Sequence, residues 1–325
     1  MSGHGPESFS IPGKRIWVCG HGGLVGSAMM RRLRDEGCEL LAAARSQVDL
    51  RDQAAVERWM RQEQPDVVIL AAARVGGIQA NISRPADFLY DNLAIQTNVM
   101  HAAHSIGVGR LVYFGSACMY PRAASQPVAE DALLAGPPEP TNEWYAVAKI
   151  AGVKMAQAYR RQYGSPFITI VPTNLFGPGD NFDPESCHVI PGLIRRFDEA
   201  RVLGREQVEI WGSGTPLREF MYVDDLADAC VWLLRHYDSE KPINVGTGVE
   251  TSIRQLAEEV AEVVGYRGRL CFDLSKPDGT PRKSLDSSCL AALGWKPRHG
   301  LRDGLKATYD WYRENRAAAS AASAE

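Results

Sequence analysis

The chain has 325 residues, 45% of them apolar, enough for two modest domains or one large α/β unit with a sizeable core. A net charge of −3 argues against a general nucleic-acid or anionic-membrane surface and leaves room for a local basic pocket. No apolar run reaches the ~18–20 residues that span a bilayer, residues 1–12 lack the apolar stretch of a secretory signal, and seven scattered cysteines without a CxxC pair or zinc spacing suit reduced thiols in a cytosol.

After a Gly/Ser/Pro-rich leader, expected to be flexible through residue 13, Arg15–Cys19 reads as a short apolar strand running into a glycine turn. An amphipathic helix follows over Leu24–Glu36. Glu39–Ala44 and Asp66–Ala72 read as the second and third strands, the latter fully buried. A long helix covers Ala86–Ser105, a fourth strand Arg110–Ser116, a helix Asn142–Tyr163 and a fifth strand Phe167–Val171. Strands alternating with helices imply parallel βαβ units and a doubly wound, Rossmann-type α/β sheet.

From Gly177 the regularity fades into a loop signal, GPGDNFDPES. Helical patterns follow at Val189–Ala200, Val223–His236, Ser252–Val264 and Leu301–Asn315, with short strands at Val208–Trp211 and Ile243–Val245. The expected organisation is a nucleotide-binding domain over 14–176 plus about 223–249. A smaller mixed α/β substrate domain takes 177–222 plus 250–316, and an Ala/Ser-rich tail over 317–325 is expected to be flexible.

Gly20, Gly23 and Gly26 close the first strand and open the first helix. Glycines there allow a tight turn and close approach of the backbone to a pyrophosphate, which the free N–H groups of the helix start can bind. An acidic residue at the end of the second strand would bond the 2′-hydroxyl of NAD, whereas an arginine accommodates a 2′-phosphate. Here Arg45 follows Ala42-Ala43-Ala44 and no carboxylate occupies that stretch, so NADP is expected. Asp49 and Leu50 follow and can border the adenine.

Tyr145 and Lys149 are four apart on one helix face. A free tyrosine titrates near ~10, and a nearby ammonium is expected to lower that value. Ser116 ends the fourth strand, where ligands bind in doubly wound sheets, so its hydroxyl can hold a carbonyl oxygen that Tyr145 protonates. Cys118 and His188 add a thiol and an imidazole, both able to move protons near neutral pH. Each also has a plainer reading. Cys118 can be a small buried residue, His188 a packing group at a helix start, and Trp211 simple core.

Ser116, Tyr145 and Lys149 resemble the extended short-chain dehydrogenase/reductase family. The words AARVGGIQAN (Ala72–Asn81), GSACMYP (Gly115–Pro121), EPTNEWYAVAK (Glu139–Lys149), PTNLFGPGDNF (Pro172–Phe182), SCHVIPGLIRRF (Ser186–Phe197), WGSGTPLREF (Trp211–Phe220) and SKPDGTPRK (Ser275–Lys283) carry the resemblance further. They are similar to its bifunctional branch, which converts GDP-4-keto-6-deoxy-D-mannose to GDP-L-fucose by C3/C5 epimerisation and C4 reduction. The resemblance runs from about Arg15 to Asn315. It implies a cytoplasmic, NADPH-dependent homodimer whose interface is the long helices after the third and fourth strands, a GDP-sugar substrate, and no nucleic acid, membrane or metal.

The resemblance also assigns residues. Cys118 is the base and His188 the acid of the epimerisation, with Ser116, Tyr145 and Lys149 as the reduction triad. The cofactor touches Gly20, Gly22, Gly23, Leu24, Val25, Gly26, Arg45, Asp49, Leu50, Ala72, Phe114, Gly115, Lys149, Pro172, Asn174, Leu175 and His188. The substrate touches Asn174, Arg196, Trp211, Arg218, Asp278 and Lys283. Arg195 and Arg196 point about 100° apart on their helix, and the family pattern favours Arg196. Two positions depart from that pattern. Gly22 stands where relatives often carry Arg, which leaves Arg45 more of the 2′-phosphate preference, and Ala117 stands where they often carry Ser. A nucleotide-sugar 4-epimerase or 4,6-dehydratase of the same fold, or a non-catalytic NADP sensor, are the rival readings.

Overall fold

In the first half of the chain, apolar side chains alternate between two faces that are both covered, which makes each strand a buried run. A computed structural model describes residues 9–276 and 278–322. It places β1 (Arg15–Cys19), α1 (Leu24–Leu33), β2 (Glu39–Leu41), α2 (Gln53–Glu63), β3 (Val67–Leu70), α3 (Ile78–Ser83), α4 (Pro85–Ser105), β4 (Arg110–Phe114), α5 (Glu143–Tyr163) and β5 (Phe167–Pro172). β9 (Ile243–Val245), arriving much later, completes a six-stranded parallel sheet in the order β2-β1-β3-β4-β5-β9. The order reverses between β1 and β3, and ligands of such sheets bind outside the strand ends at that crevice.

Ile16, Val18, Val67, Ile69, Val112 and Phe114 face one layer, built on α1 and α7 (Val223–His236). Trp17, Cys19, Val68, Leu70, Leu111 and Tyr113 face the other, covered by α2, α4 and α5. Ion pairs Arg31–Asp224 at 2.5 Å and Arg32–Asp228 at 2.8 Å join α1 to α7. Ile11 is wholly buried in the first layer and the Phe9 N–H donates to Arg235 O, so the leader is packed from residue 9 rather than loose. Residues 1–8 lie outside the described residues.

β2 is shorter than the predicted Glu39–Ala44 because the N–H groups of Gln47 and Val48 fold back onto Ala44 O. Likewise α1 stops at Leu33, where a turn returns Glu36 N–H to Leu33 O. α5 ends at Gly164, whose φ of 71° supplies the left-handed cap.

β6 (Asn174–Phe176) leaves the first sheet at once and pairs with β8 (Leu217–Tyr222). β8 also pairs with β10 (Glu250–Ser252) and β12 (Arg282–Lys283), while β7 (Gln207–Trp211) pairs with β11 (Arg269–Asp273). A third core binds these to α6 (Val189–Val202), α8 (Ile253–Val264) and α10 (Leu301–Ala322) through residues such as Phe176, Phe197, Leu256 and Leu305. Ser252 and Gln255 form a capping box at the start of α8. α9 (Ser288–Ala292) lies against β9, and α10 extends past the predicted Asn315 to Ala322, into the expected tail; residues 323–325 lie outside the described residues.

Glu219 in β8 has no exposed surface. Its Oε1 accepts the N–H groups of Thr247 at 2.6 Å and Gly248 at 2.8 Å, and its Oε2 accepts that of Leu285 at 2.9 Å. Its backbone carbonyl accepts from Asn174 Nδ2 at 2.7 Å and Thr173 Oγ1 at 3.2 Å. A Cβ at residue 246 would overlap Oε1, so Gly246 is required. A buried donor left unpaired costs about 1–3 kcal/mol. Glu219→Gln, whose amide nitrogen must face an N–H donor, should therefore lose about 2–3 kcal/mol of stability, read as a lower midpoint in urea unfolding.

Candidate active site

The end of β1 is shaped by glycine. Gly20 adopts φ +82°, and a Cβ there would lie 2.8 Å from the Ala72 backbone; one on Gly26 would overlap Gly20 O. Gly23 is the N-cap of α1, with no side-chain cap and no acidic residue in the first turn. The N–H groups at Leu24 and Val25 are thus offered to an anion at the crevice. Ala72, Phe114 with Gly115, and Pro172 stand at or just past the ends of β3, β4 and β5, and Asn174 and Leu175 open β6, so the expected cofactor positions line one edge. Arg45 is 73% exposed at its side chain, with Asp49 at 3.6 Å. The Asp49 carboxylate is held by Arg51 at 2.7 Å, which keeps it well below the usual carboxylate range; Arg51 also pairs with Asp91, and Asp91 with Arg74. Asp49 is therefore committed to arginine, and Leu50 O to Asn98 Nδ2. The glycine cradle and an open Arg45 fit a dinucleotide with a 2′-phosphate.

Ser116 leaves β4 in extended backbone, and its Oγ accepts the N–H of Cys118 at 3.2 Å, opening the 3-10 turn Ala117–Met119. The half-buried Cys118 Sγ accepts from Asn142 Nδ2 at 3.1 Å and from Lys283 Nζ at 3.3 Å. α5 brings Tyr145 and Lys149 to the same turn. Lys149 is buried and donates to Phe114 O at 2.8 Å; burial brings its pKa down to about 7.

Tyr145 moves the other way. Burial raises its pKa, Cys118 nearby raises it further, and the Ser116 hydroxyl opposes both. The predicted lowering by an ammonium is corrected. Lys149 Nζ sits 5.8 Å from the Tyr145 ring centre and is engaged by the Phe114 carbonyl, so desolvation decides the direction.

His188 is the N-cap residue of α6 and makes no side-chain cap bond. The residue is exposed, and desolvation by the protein around it lowers its pKa from the ordinary value. The loop before it is pinned by Gly77 N–H to Ser186 O at 2.9 Å. The α3 segment that begins at Ile78 packs on the turn holding Asn142. The loop of His188 and the partner of Cys118 thus border one glycine-rich segment.

The substrate-side residues gather on β7, β8 and their neighbours. Arg196 donates to Glu209 O at 3.0 Å and Gly192 O at 3.3 Å, whereas Arg195 pairs with Glu199 at 3.3 Å. Arg218 donates to Leu217 O and lies opposite Lys283 in register. Asp278 accepts from Ser213 N–H at 2.6 Å and Ser213 Oγ at 2.8 Å, which holds it beside Trp211. Trp211 is 63% exposed with Lys276 over its ring, so it is not core. Among the described residues neither Arg196 nor Arg218 has a carboxylate partner. Asn174 is fixed on Glu219 O and Lys283 is turned to Cys118.

Sequence reading did not single out Asn142 or Glu219. Asn142 stood inside the EPTNEWYAVAK word, and Glu219 inside WGSGTPLREF, but neither had a local pattern to mark it.

Known proteins share this sequence and fold. The chain is 56% identical over 310 residues to GDP-L-fucose synthase 1 of Arabidopsis thaliana, covering 95% of this chain and 96% of that one. A GDP-L-fucose synthetase from Naegleria fowleri bound to NADP superposes with a TM-score of 0.88 at 29% identity, over 96% of this chain and 98% of that chain. A GDP-mannoheptose C4 reductase from Campylobacter jejuni with NADP bound gives 0.86 at 36% identity, over 93% and 98%. Residues 16–246 match the sequence pattern of one family, and the chain belongs to it: the NAD dependent epimerase/dehydratase family.

Proposed function

We propose that the protein is an NADPH-dependent epimerase and reductase that converts GDP-4-keto-6-deoxy-D-mannose to GDP-L-fucose. The carrying observation is the turn after β4, where Ser116 and a hydrogen-bonded Cys118 stand two residues apart beside Tyr145 and Lys149. The ketone at C4 acidifies the hydrogens on C3 and C5. Cys118 takes such a proton from one face and His188 delivers one to the other, which inverts the carbon. Bound NADPH supplies hydride to C4. Ser116 holds the carbonyl oxygen and Tyr145, kept protonated by its surroundings, donates the proton. Lys149, fixed on Phe114 O, orients the cofactor side of the pocket.

Gly20, Gly23, Gly26 and the start of α1 receive the pyrophosphate, and Arg45 the 2′-phosphate. Arg196 and Arg218 take the diphosphate of the GDP-sugar, with Trp211, Asp278 and Asn174 around it. A 4,6-dehydratase needs an acidic pair just after the serine, where Ala117, Cys118 and Met119 stand. A C4 reductase without epimerase activity has no use for a thiol held by two donors. Exposed Tyr90, Val147 and Tyr163 on α4 and α5 support a homodimer through those helices. No described helix is long and apolar enough to cross a membrane, and the reduced cysteines fit a cytoplasmic enzyme.

Tyr145→Phe should slow ketone reduction by about 10²–10⁴-fold while solvent deuterium still enters C3 or C5. Loss of both activities in a folded variant would contradict this division of labour. Arg45→Ala should raise the KM for NADPH about tenfold and leave that for NADH unchanged. Gly22→Arg should act in the opposite sense, since a Cβ there meets nothing within 4 Å. Steady-state rates at 340 nm with each cofactor decide both.

A further inference from the structure

We infer that Lys283 and Asn142 form a two-donor pocket that holds Cys118 as its thiolate, so that the substrate domain completes the base. This rests on the reading of Cys118 as the epimerisation base and names what activates it. A thiol is a weak acceptor, whereas a thiolate is an anion that draws several donors. Here two donors converge on one half-buried sulfur, Asn142 Nδ2 at 3.1 Å and Lys283 Nζ at 3.3 Å.

Lys283 is held in place. Its neighbour Arg282 pairs with Glu250 at 2.6 Å, the N–H of Ser284 donates to Gln126 Oε1 at 2.9 Å, and that of Leu285 to Glu219. Adjacent residues of a strand point to opposite faces, so Arg282 and Lys283 are sent to different partners. Among the described residues Lys283 pairs with no carboxylate, and its charge is left to the sulfur. Asn142 reaches the sulfur through Nδ2, while its Oδ1 is buried without a partner among the described residues.

Lys149 does not compete for the sulfur, because it is engaged by Phe114 O. In the step itself the sulfur forms S–H, the C–H bond at C3 or C5 breaks, and its electron pair passes to the ketone oxygen as an enolate. An anionic sulfur is the form that can remove the carbon proton.

The test needs no substrate. Full-length protein is treated with iodoacetamide across a pH range, and alkylation of the Cys118 peptide is followed by mass spectrometry, which separates it from the other partly exposed thiols, Cys187 among them. Lys283→Met should slow alkylation at pH 7 by about tenfold and shift its rise to higher pH, and Asn142→Ala should act more weakly. Lys283→Arg should restore most of the rate, which separates charge from disturbed folding. With substrate, Lys283→Met should slow deuterium entry at C3 and C5. A wild-type alkylation profile in Lys283→Met overturns the inference, and a raised KM for the GDP-sugar with that same profile would make Lys283 a substrate contact instead. A normal shift in alkylation without any epimerisation in the wild type would leave the thiolate pocket standing and sink the proposed reaction.

Discussion

A carboxylate buried away from water ties the nucleotide-binding edge to the substrate-binding strands. Burying such a charge costs several kcal/mol unless hydrogen bonds offset it. Glu219 meets that cost with backbone N–H groups from two separate segments, 247–248 and 285, while its own carbonyl receives Thr173 and Asn174. The loops after β5 and β9 belong to the edge at the strand ends of the parallel sheet. Leu285 follows Lys283 by two residues, and Arg218 precedes Glu219 directly. One side chain therefore sets the spacing between the strand ends of the parallel sheet and the segments that carry Arg218 and Lys283.

Electrostatics within the pocket follow from burial more than from pairing. Desolvation disfavours the charged form of any group, so it pulls a lysine down and pushes a tyrosine up. Lys149 reaches about 7 and Tyr145 rises, which makes both neutral more often than their free counterparts. Of the two, the lysine is the one that changes charge near neutral pH. A tyrosine that keeps its proton suits the reductive direction, in which it must give that proton to an oxygen.

The parallel sheet was legible because its signals are local. Apolar runs, a glycine triplet after the first and a serine at the end of the fourth each sit within a few residues. The spacing of Tyr145 and Lys149 likewise fixes a shared helix face. The direction of the Tyr145 shift was not legible, because charge proximity can be read from a helix and burial cannot. Glu219 was invisible for a related reason. In sequence it is one more acidic residue in a charged strand, and only its distant donors reveal a hub. The pairing of Cys118 with Lys283 spans 165 positions, so no motif could announce it. Trp211 illustrates the reverse case: its type suggests core, and its place at the end of β7 leaves it open.

Two chemistries in one pocket also require two loops to come unusually close. A Cβ at residue 77 would stand 2.8 Å from Cys187 O, and one at residue 76 would press on Ala80 and Phe88 at 3.1 and 3.2 Å. Glycine at both positions lets the segment after β3 slide beneath the loop that carries His188. The same segment continues into α3, which leans on the turn that holds Asn142. Any side chain at residue 77 would therefore push the imidazole loop away from a segment whose other end braces the partner of Cys118. The spacing between the His188 loop and the turn that braces Cys118 is thus set by the absence of a carbon atom at residue 77.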